Sequence, residues 1–155
     1  MTEQEEAFVH FVCCTDWLNN AWRLLNVICT QQGNRLIGPA FQFALIEYSK
    51  PYGISRGTGK RRFALDTSCI PQEWIDLHTR IVNARDQVHA HSDLTVMEAT
   101  LYIHNSKGEW SSAIVQNAIT GIEELPNLNE IRALIEATLD NMYVKAKVLE
   151  RGLAP

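Results

Sequence analysis

The fold is decided first by residues 127–149, which read NLNEIRALIEATLDNMYVKAKVL. Apolar side chains recur there at intervals of three and four, so they share one face of a helix. Those side chains are Leu128, Ile131, Ile135, Leu139, Met142, Ala146 and Leu149. Asn127 and Glu130 have the spacing of a capping box, with Pro126 before the cap. The stretch predicts a long amphipathic helix that begins at Asn127 and ends at Gly152.

Three segments before it show the same helical period. They are residues 2–32, 39–50 and 71–91, and Gly33, Asn34 and Pro51 are stop signals between them. On the first helix Trp17, Trp22, Leu24 and Val27 widen the apolar surface beyond one stripe. We therefore expect that helix to contact more than one neighbour, with a second subunit as one candidate.

Two segments interrupt the helical pattern. Residues 52–68 contain three glycines and a run of three cations, so they predict a loop. Residues 95–105 and 109–117 are rich in β-branched and aromatic side chains and flank Ser106-Lys107-Gly108, which predicts a small hairpin. The predicted fold is all-α or mainly α: a single domain over residues 1–155, with about four helices and a hairpin insertion near 95–117.

Composition limits the classes of function. The formal net charge of -4 disfavours a protein built for nonspecific nucleic-acid binding, because that binding depends on many Lys and Arg side chains. No apolar run approaches the roughly 20 residues that span a bilayer. The acidic residues 1–6 are unlike the basic start of a signal peptide. We expect a cytoplasmic protein with no membrane contact.

The four cysteines fit neither a disulfide framework nor a zinc ribbon. Cys13 and Cys14 are adjacent, and neither Cys29 nor Cys69 forms a Cys-x-x-Cys pair. We expect all four to be buried thiols.

Gly57-Thr58-Gly59-Lys60 has the Gly-Lys pair of a phosphate-binding loop but not the rest of its pattern. Ile54 stands where that pattern needs its first glycine, and Arg61 replaces the Ser or Thr that would hold magnesium. Two interpretations stay open for Lys60, Arg61 and Arg62: a solvated loop, or contacts with the phosphate backbone of RNA.

The histidines do not form a convincing metal site. Residues two apart on a helix point in nearly opposite directions, so His89 and His91 cannot chelate one ion together. His104 has no acidic or cysteine partner at a telling spacing. We expect no metal and no cofactor.

Residues 85–93, Arg-Asp-Gln-Val-His-Ala-His-Ser-Asp, combine groups that cleave RNA without a metal. A histidine titrates near neutrality and can accept the proton of the 2′-hydroxyl and then return one. Arg85 is always charged and stabilises negative charge on phosphate. Asp86 or Asp93 would orient the Arg or the His. A polar helix end with surface ion pairs is the plainer alternative.

The order Arg85-Asp86 followed by Ala90-His91-Ser92-Asp93 resembles the signature of the HEPN superfamily. That signature is an Arg, a polar residue and then a His after a short interval, and five residues separate Arg85 from His91 here. The resemblance implies an all-α bundle with the motif near the end of a central helix, and a homodimer that joins two motifs in one cleft. For active branches it implies metal-independent endoribonuclease activity linked to toxin–antitoxin pairs or phage defence.

The predicted roles are His91 as general base or acid, Arg85 as phosphate stabiliser and Asp86 as orienting group. His89 is the alternative histidine, because it lies four residues after Arg85 and closer to its helix face. Asp93 is an additional candidate.

Two rival interpretations need no catalysis. In one, the same fold binds RNA or a nucleotide without cutting it. In the other, the surface that carries Trp17 and Trp22 docks a protein partner such as an antitoxin.

Overall fold

The computed structural model describes residues 1–31, 33–85, 98–116 and 122–153, and four α-helices hold more than half of these residues. The helices are α1 (Glu3–Thr30), α2 (Ile37–Ser49), α3 (Ile75–Ala84) and α4 (Leu128–Arg151). The strands are β1 (Ser55–Arg56), β2 (Arg62–Phe63), β3 (Thr100–Ser106) and β4 (Glu109–Val115). The mainly α fold with a small hairpin is therefore confirmed.

Helix α1 is the axis of the fold, because it packs along both α2 and α4. Its predicted apolar stripe is confirmed, since every member is buried: Phe11, Cys14, Leu18, Ala21, Leu25 and Ile28. Thr2 and Glu5 form a reciprocal capping box that fixes the start of the helix. None of the helices within the described residues is long and apolar enough to cross a bilayer.

Helices α2 and α4 complete the core from either side of α1. Phe41, Leu45 and Tyr48 of α2 are almost fully buried. Helix α4 contributes a buried stripe of its own: Ile131, Leu134, Ile135, Leu139 and Met142. Full burial of one such side chain is worth about 1.5–3 kcal/mol, so the packing of these helices supplies most of the stabilisation.

The start of α4 corrects one prediction. Asn127 makes no side-chain capping bond, and its Nδ2 instead donates to Glu124 Oε2 at 2.7 Å. The physical reason is the backbone: Asn127 has φ −92° and ψ 16°, whereas an N-cap residue is usually extended. A 3₁₀ turn at Leu125–Asn127 leads into the helix.

Helix α3 begins later than predicted. Pro71 is extended, a 3₁₀ turn follows at Gln72–Trp74, and the α-helix starts at Ile75. Leu77, His78 and Ile81 are its buried residues. Residues 86–91 of the predicted helix lie outside the described residues.

The predicted loop at 52–68 contains a short antiparallel ribbon, which the sequence analysis did not predict. Strand β1 pairs with β2, with Ser55 opposite Phe63 and Arg56 opposite Arg62. Gly57 is required by close approach, since a Cβ there would lie 2.5 Å from the Phe63 ring and 3.1 Å from the Glu6 carboxylate. Any side chain at this position would displace the Phe63 ring.

The predicted hairpin is confirmed as β3 and β4, joined by a two-residue turn. Lys107 (φ 54°) and Gly108 (φ 90°) both have positive φ, as a type I′ hairpin turn requires. The Gly108 N–H donates to Asn105 Oδ1 at 3.2 Å. Every residue of both strands is exposed.

The cysteine prediction is only partly correct. Cys14 and Cys69 are buried, Cys29 is half-buried and Cys13 is exposed. Cys13 lies two residues after Phe11, which belongs to the buried stripe of α1. Its side chain therefore lies on the outer face of the helix.

Candidate nucleic-acid site

Arg85 directly follows α3. Its backbone N–H bonds back to the carbonyls of Ile81 and Val82, and its side chain is half-buried. Because Ile81 belongs to the core, the backbone at Arg85 is bonded to a residue that is packed on every side. A fixed backbone limits the positions that the guanidinium can reach, which is what a phosphate-stabilising arginine needs.

The other predicted catalytic side chains follow Arg85 directly. Asp86, His89, His91 and Asp93 all lie within 86–97, outside the described residues. Their roles therefore stay predictions that rest on the sequence.

A buried aromatic cluster fixes α3 to α2. A hydrogen bond of 2.8 Å joins the Tyr48 hydroxyl to His78 Nδ1, and the Tyr52 ring meets the His78 ring edge-on at 4.4 Å between centroids. Burial lowers the pKa of His78 and raises the pKa of Tyr48, so both groups are neutral at physiological pH. The cluster thus ties the buried face of α3 to α2 and to the turn that follows it.

Arg80 lies on the same helix but has a structural role. Its Nε donates to Glu124 Oε1 at 2.9 Å, and this bond holds the pKa of Glu124 below its ordinary value. The pair links α3 to the segment before α4. Arg80 is thus a cation on the same helix as Arg85 with an assigned partner, which makes it a suitable control.

The three predicted RNA-contacting cations behave differently from one another. Arg61 Nη1 donates to Glu6 Oε2 at 3.0 Å, so its charge is matched by a buried carboxylate of α1. Contacts from Thr58 and this ion pair hold the pKa of Glu6 below its ordinary value. Lys60 and Arg62 are exposed instead. Arg61 is therefore better placed to hold the ribbon to α1 than to contact RNA.

Arg56 is a further cation that the sequence analysis did not single out. It is exposed and lies opposite Arg62 across β1 and β2. Like charges directly opposite each other destabilise a ribbon, and an anion placed between them would remove that cost. The signal in the sequence was an arginine on each side of the Gly57–Gly59 turn. We call Arg56, Lys60 and Arg62 the basic ribbon.

A cleft of about 500 Å³ opens between α1 and the ribbon. Arg56 and the half-buried Trp17 both line it. His10 and Phe63 also line it and stack on each other at 5.6 Å between ring centroids. Cations beside aromatic rings are the usual means of holding single-stranded nucleic acid, because phosphates pair with the cations and bases stack on the rings.

Trp22 belongs to the packing between helices. It is half-buried against the core, and its Nε1 donates to Glu136 Oε1 at 2.7 Å. The bond joins α1 to α4. The docking role of the surface that carries Trp17 and Trp22 stays a prediction.

The described residues contain no group of three or more His, Cys, Asp or Glu side chains arranged to hold a metal ion. His104 is exposed on β3, opposite Ser111. His89 and His91 are outside the described residues, so their geometry is left as a sequence-based expectation.

Comparisons with models of protein families, with curated proteins and with solved structures found no significant match to this chain. The resemblance at residues 85–93 therefore rests on the motif itself.

Proposed function

We propose that this chain is a HEPN-like, metal-independent endoribonuclease of the toxin–antitoxin or phage-defence kind, acting in the cytoplasm as a homodimer. The observation that carries the proposal is the placement of Arg85. It directly follows α3, which is anchored in the core, and Asp86, His89, His91 and Asp93 come within the next eight residues of the chain. An antitoxin would be the natural partner of such an enzyme.

The proposed reaction uses the RNA's own 2′-hydroxyl. His91 accepts the hydroxyl proton, the 2′-oxygen attacks phosphorus, and the bond from phosphorus to the 5′-oxygen breaks. A protonated histidine returns a proton to the leaving 5′-oxygen. The products are a 2′,3′-cyclic phosphate and a 5′-hydroxyl end. Arg85 stabilises the charge that builds on the phosphate oxygens, and Asp86 orients Arg85 or His91.

The basic ribbon supports RNA as the substrate. Arg56, Lys60 and Arg62 concentrate positive charge on a protein whose net charge is -4, and Arg56 also lines the cleft that holds Trp17, His10 and Phe63. A local cationic surface on an acidic protein binds RNA at one place rather than over the whole surface. Arg61 is left out of this surface because Glu6 matches its charge.

Cleavage of total cellular RNA in the presence of a chelator tests the proposal. Wild type is compared with Arg85→Ala and with Arg80→Ala, which removes a cation from the same helix. We expect wild type and Arg80→Ala to produce 2′,3′-cyclic phosphate ends and Arg85→Ala to lose at least about 100-fold in rate, as loss of a charge-stabilising donor usually does. Equal activity of the two arginine variants would contradict the role of Arg85.

The histidines are separated in the same assay. His91→Ala should abolish cleavage, and His104→Ala, which changes an exposed strand residue, should not. If His89→Ala is the inactive variant instead, the general base moves to His89 and the rest of the proposal stands. Absence of cleavage by the wild-type protein would contradict the proposed nuclease activity.

A non-catalytic RNA-binding module is the second candidate, and the basic ribbon favours it independently of the motif. It predicts affinity for single-stranded RNA without products. Arg56→Glu and Arg62→Glu should weaken binding and reduce its salt dependence, whereas Arg151→Glu, an exposed change at the end of α4, should not. Unchanged RNA affinity in the ribbon variants would show that the basic ribbon does not contact RNA, in the nuclease or in the binding module.

A further inference from the structure

The hairpin of β3 and β4 stands apart from the rest of the described chain. Its strands contact each other extensively, and among the described elements no helix makes a comparable contact with either of them. Large apolar side chains on it are mostly exposed, with Trp110 at 74% and Ile103 at 65% of full accessibility. Scattered apolar side chains on a surface are ordinary, but several on one exposed element are not.

The strand register sorts these side chains onto two faces. Residues that pair across the strands lie on the same face, and neighbours along a strand alternate between faces. Leu101 pairs with Ile114, Ile103 with Ser112 and Asn105 with Trp110. We call this set of six residues the apolar hairpin face. The opposite face holds the mixed set Thr100, Tyr102, His104, Ser106, Glu109, Ser111, Ala113 and Val115.

Physical chemistry argues that the apolar hairpin face is covered in the working protein. A two-stranded hairpin alone is at best marginally stable in water. The four large apolar side chains of this face expose on the order of 500 Å² of surface together, since an aromatic residue alone can bury about 150–250 Å². A stable protein interface needs about 800 Å² from each partner, so this one face supplies more than half of that area.

The chemistry of the face indicates the kind of partner. It contains no charged residue: its two polar members are Asn105 and Ser112, and Lys107 and Glu109 lie at the turn and on the other face. An uncharged face can meet a copy of itself without like charges opposing each other. Two such faces also have matching strand lengths, as sheet-on-sheet packing requires.

We propose that the apolar hairpin face packs against the same face of a second copy of this chain, about a two-fold axis. The contact buries Leu101, Ile103, Trp110 and Ile114 of both copies between two hairpins about 10 Å apart. It gives the proposed homodimer a contact surface, but it is argued from the hairpin alone and does not depend on RNA cleavage.

Sedimentation velocity over a range of protein concentrations tests the contact. The wild type should be a dimer, and Ile103→Thr with Ile114→Thr should raise its dissociation constant at least about tenfold. Threonine keeps the β-branched shape that strands favour, so the hairpin remains compatible with both substitutions. The matched control is Tyr102→Thr, which changes the opposite face and should leave the dissociation constant within about threefold.

Crosslinking gives a second readout that does not depend on weakened association. In a Cys13→Ser background, Ser112→Cys places a thiol on the apolar hairpin face and Ser111→Cys places one on the other face. A bismaleimide whose span matches the about 10 Å between packed sheets should join two copies of Ser112→Cys and not two copies of Ser111→Cys.

Three results would overturn the proposal. They are a wild-type protein that is monomeric at all concentrations, a dimer that the double threonine variant leaves unchanged, or equal crosslinking from both cysteine positions. RNA cleavage is scored separately. Loss of the hairpin contact with cleavage intact therefore refutes this inference alone, and absence of cleavage with the contact intact refutes the nuclease alone.

Discussion

The helical body, made of α1 to α4, and the hairpin of β3 and β4 solve the problem of apolar surface in opposite ways. Leu18, Leu25 and Ile135 in the body are fully buried by neighbouring helices of the same chain. Leu101, Ile103 and Ile114 on the hairpin are more than half exposed. The body thus buries its own apolar side chains, whereas the hairpin exposes them to solvent. From this difference we expect the body to be the folding unit and the hairpin to make the proposed contact with a second copy.

The largest expected effect contrasts one residue from each region. Leu18→Ala should lower the free energy of unfolding by about 2–5 kcal/mol, because it opens a cavity between α1 and its neighbours. Ile103→Ala should change it by less than about 0.5 kcal/mol in dilute solution, because the side chain is exposed there. Chemical denaturation at low protein concentration measures both. A loss of several kcal/mol in Ile103→Ala would show that the hairpin is part of the folding unit.

A smaller effect is expected at Trp22. Trp22→Ala removes a half-buried ring and its bond to Glu136, and should cost about 2 kcal/mol of stability. Trp22→Phe keeps most of the ring packing and should cost about 1 kcal/mol. Neither should change the dimer dissociation constant. If Trp22→Ala instead kept full stability and dissociated the protein, the contact between subunits would lie on α1.

The buried His78 predicts a dependence of stability on pH. Its pKa is lowered by burial, so between the folded and unfolded pKa values the unfolded chain binds more protons, and stability rises with pH. The contribution is fully present above the ordinary histidine pKa of 6.5 and is lost as the pH falls below it. His10 shifts in the same direction through partial burial.

Denaturation midpoints measured between about pH 7.5 and about pH 5 test this dependence. The side-chain oxygen of His78→Gln can still accept a bond from Tyr48, and this variant should lose less stability than wild type as the pH is lowered. His104→Gln on the exposed strand should lose as much stability as wild type. A slope identical in all three proteins would mean that His78 does not titrate differently on folding.

The smallest effect is expected at the hairpin turn. Lys107 adopts φ 54°, a region in which asparagine costs less than lysine. Lys107→Asn should stabilise the hairpin by up to about 1 kcal/mol without changing the melting of the helical body. Amide exchange of the hairpin measures the first and circular dichroism the second. Faster exchange in the variant would contradict the turn assignment.

The sequence predicts the body well because its signals are local and repeated. The stripe from Phe11 to Ile28 follows one helical period over five turns, and the structure buries each of its members. The prediction of a cap at Asn127 is wrong because residue type and spacing do not specify backbone conformation. The ribbon of β1 and β2 was not predicted because strands of two residues are too short to show a period. Its position also depends on Gly57 lying against Phe63 and Glu6.

The candidate site was predictable to a smaller extent. Arg85 follows from the motif, and the structure adds that it directly follows the core-anchored helix α3. The neutralisation of Arg61 by Glu6 joins positions 55 residues apart, which no local pattern reports. Arg56 became a candidate only through its register opposite Arg62. Contacts between distant segments, rather than residue types, decide which cations are available.

Hydrogen exchange of the whole protein at a low and a high concentration tests the contrast between body and hairpin most directly. We predict that amides of α1 are protected at both concentrations, whereas amides of 98–116 exchange quickly when the protein is dilute and gain protection as dimers form. Hairpin amides that are protected equally at both concentrations, or that stay unprotected in a sample that is fully dimeric, would contradict the account.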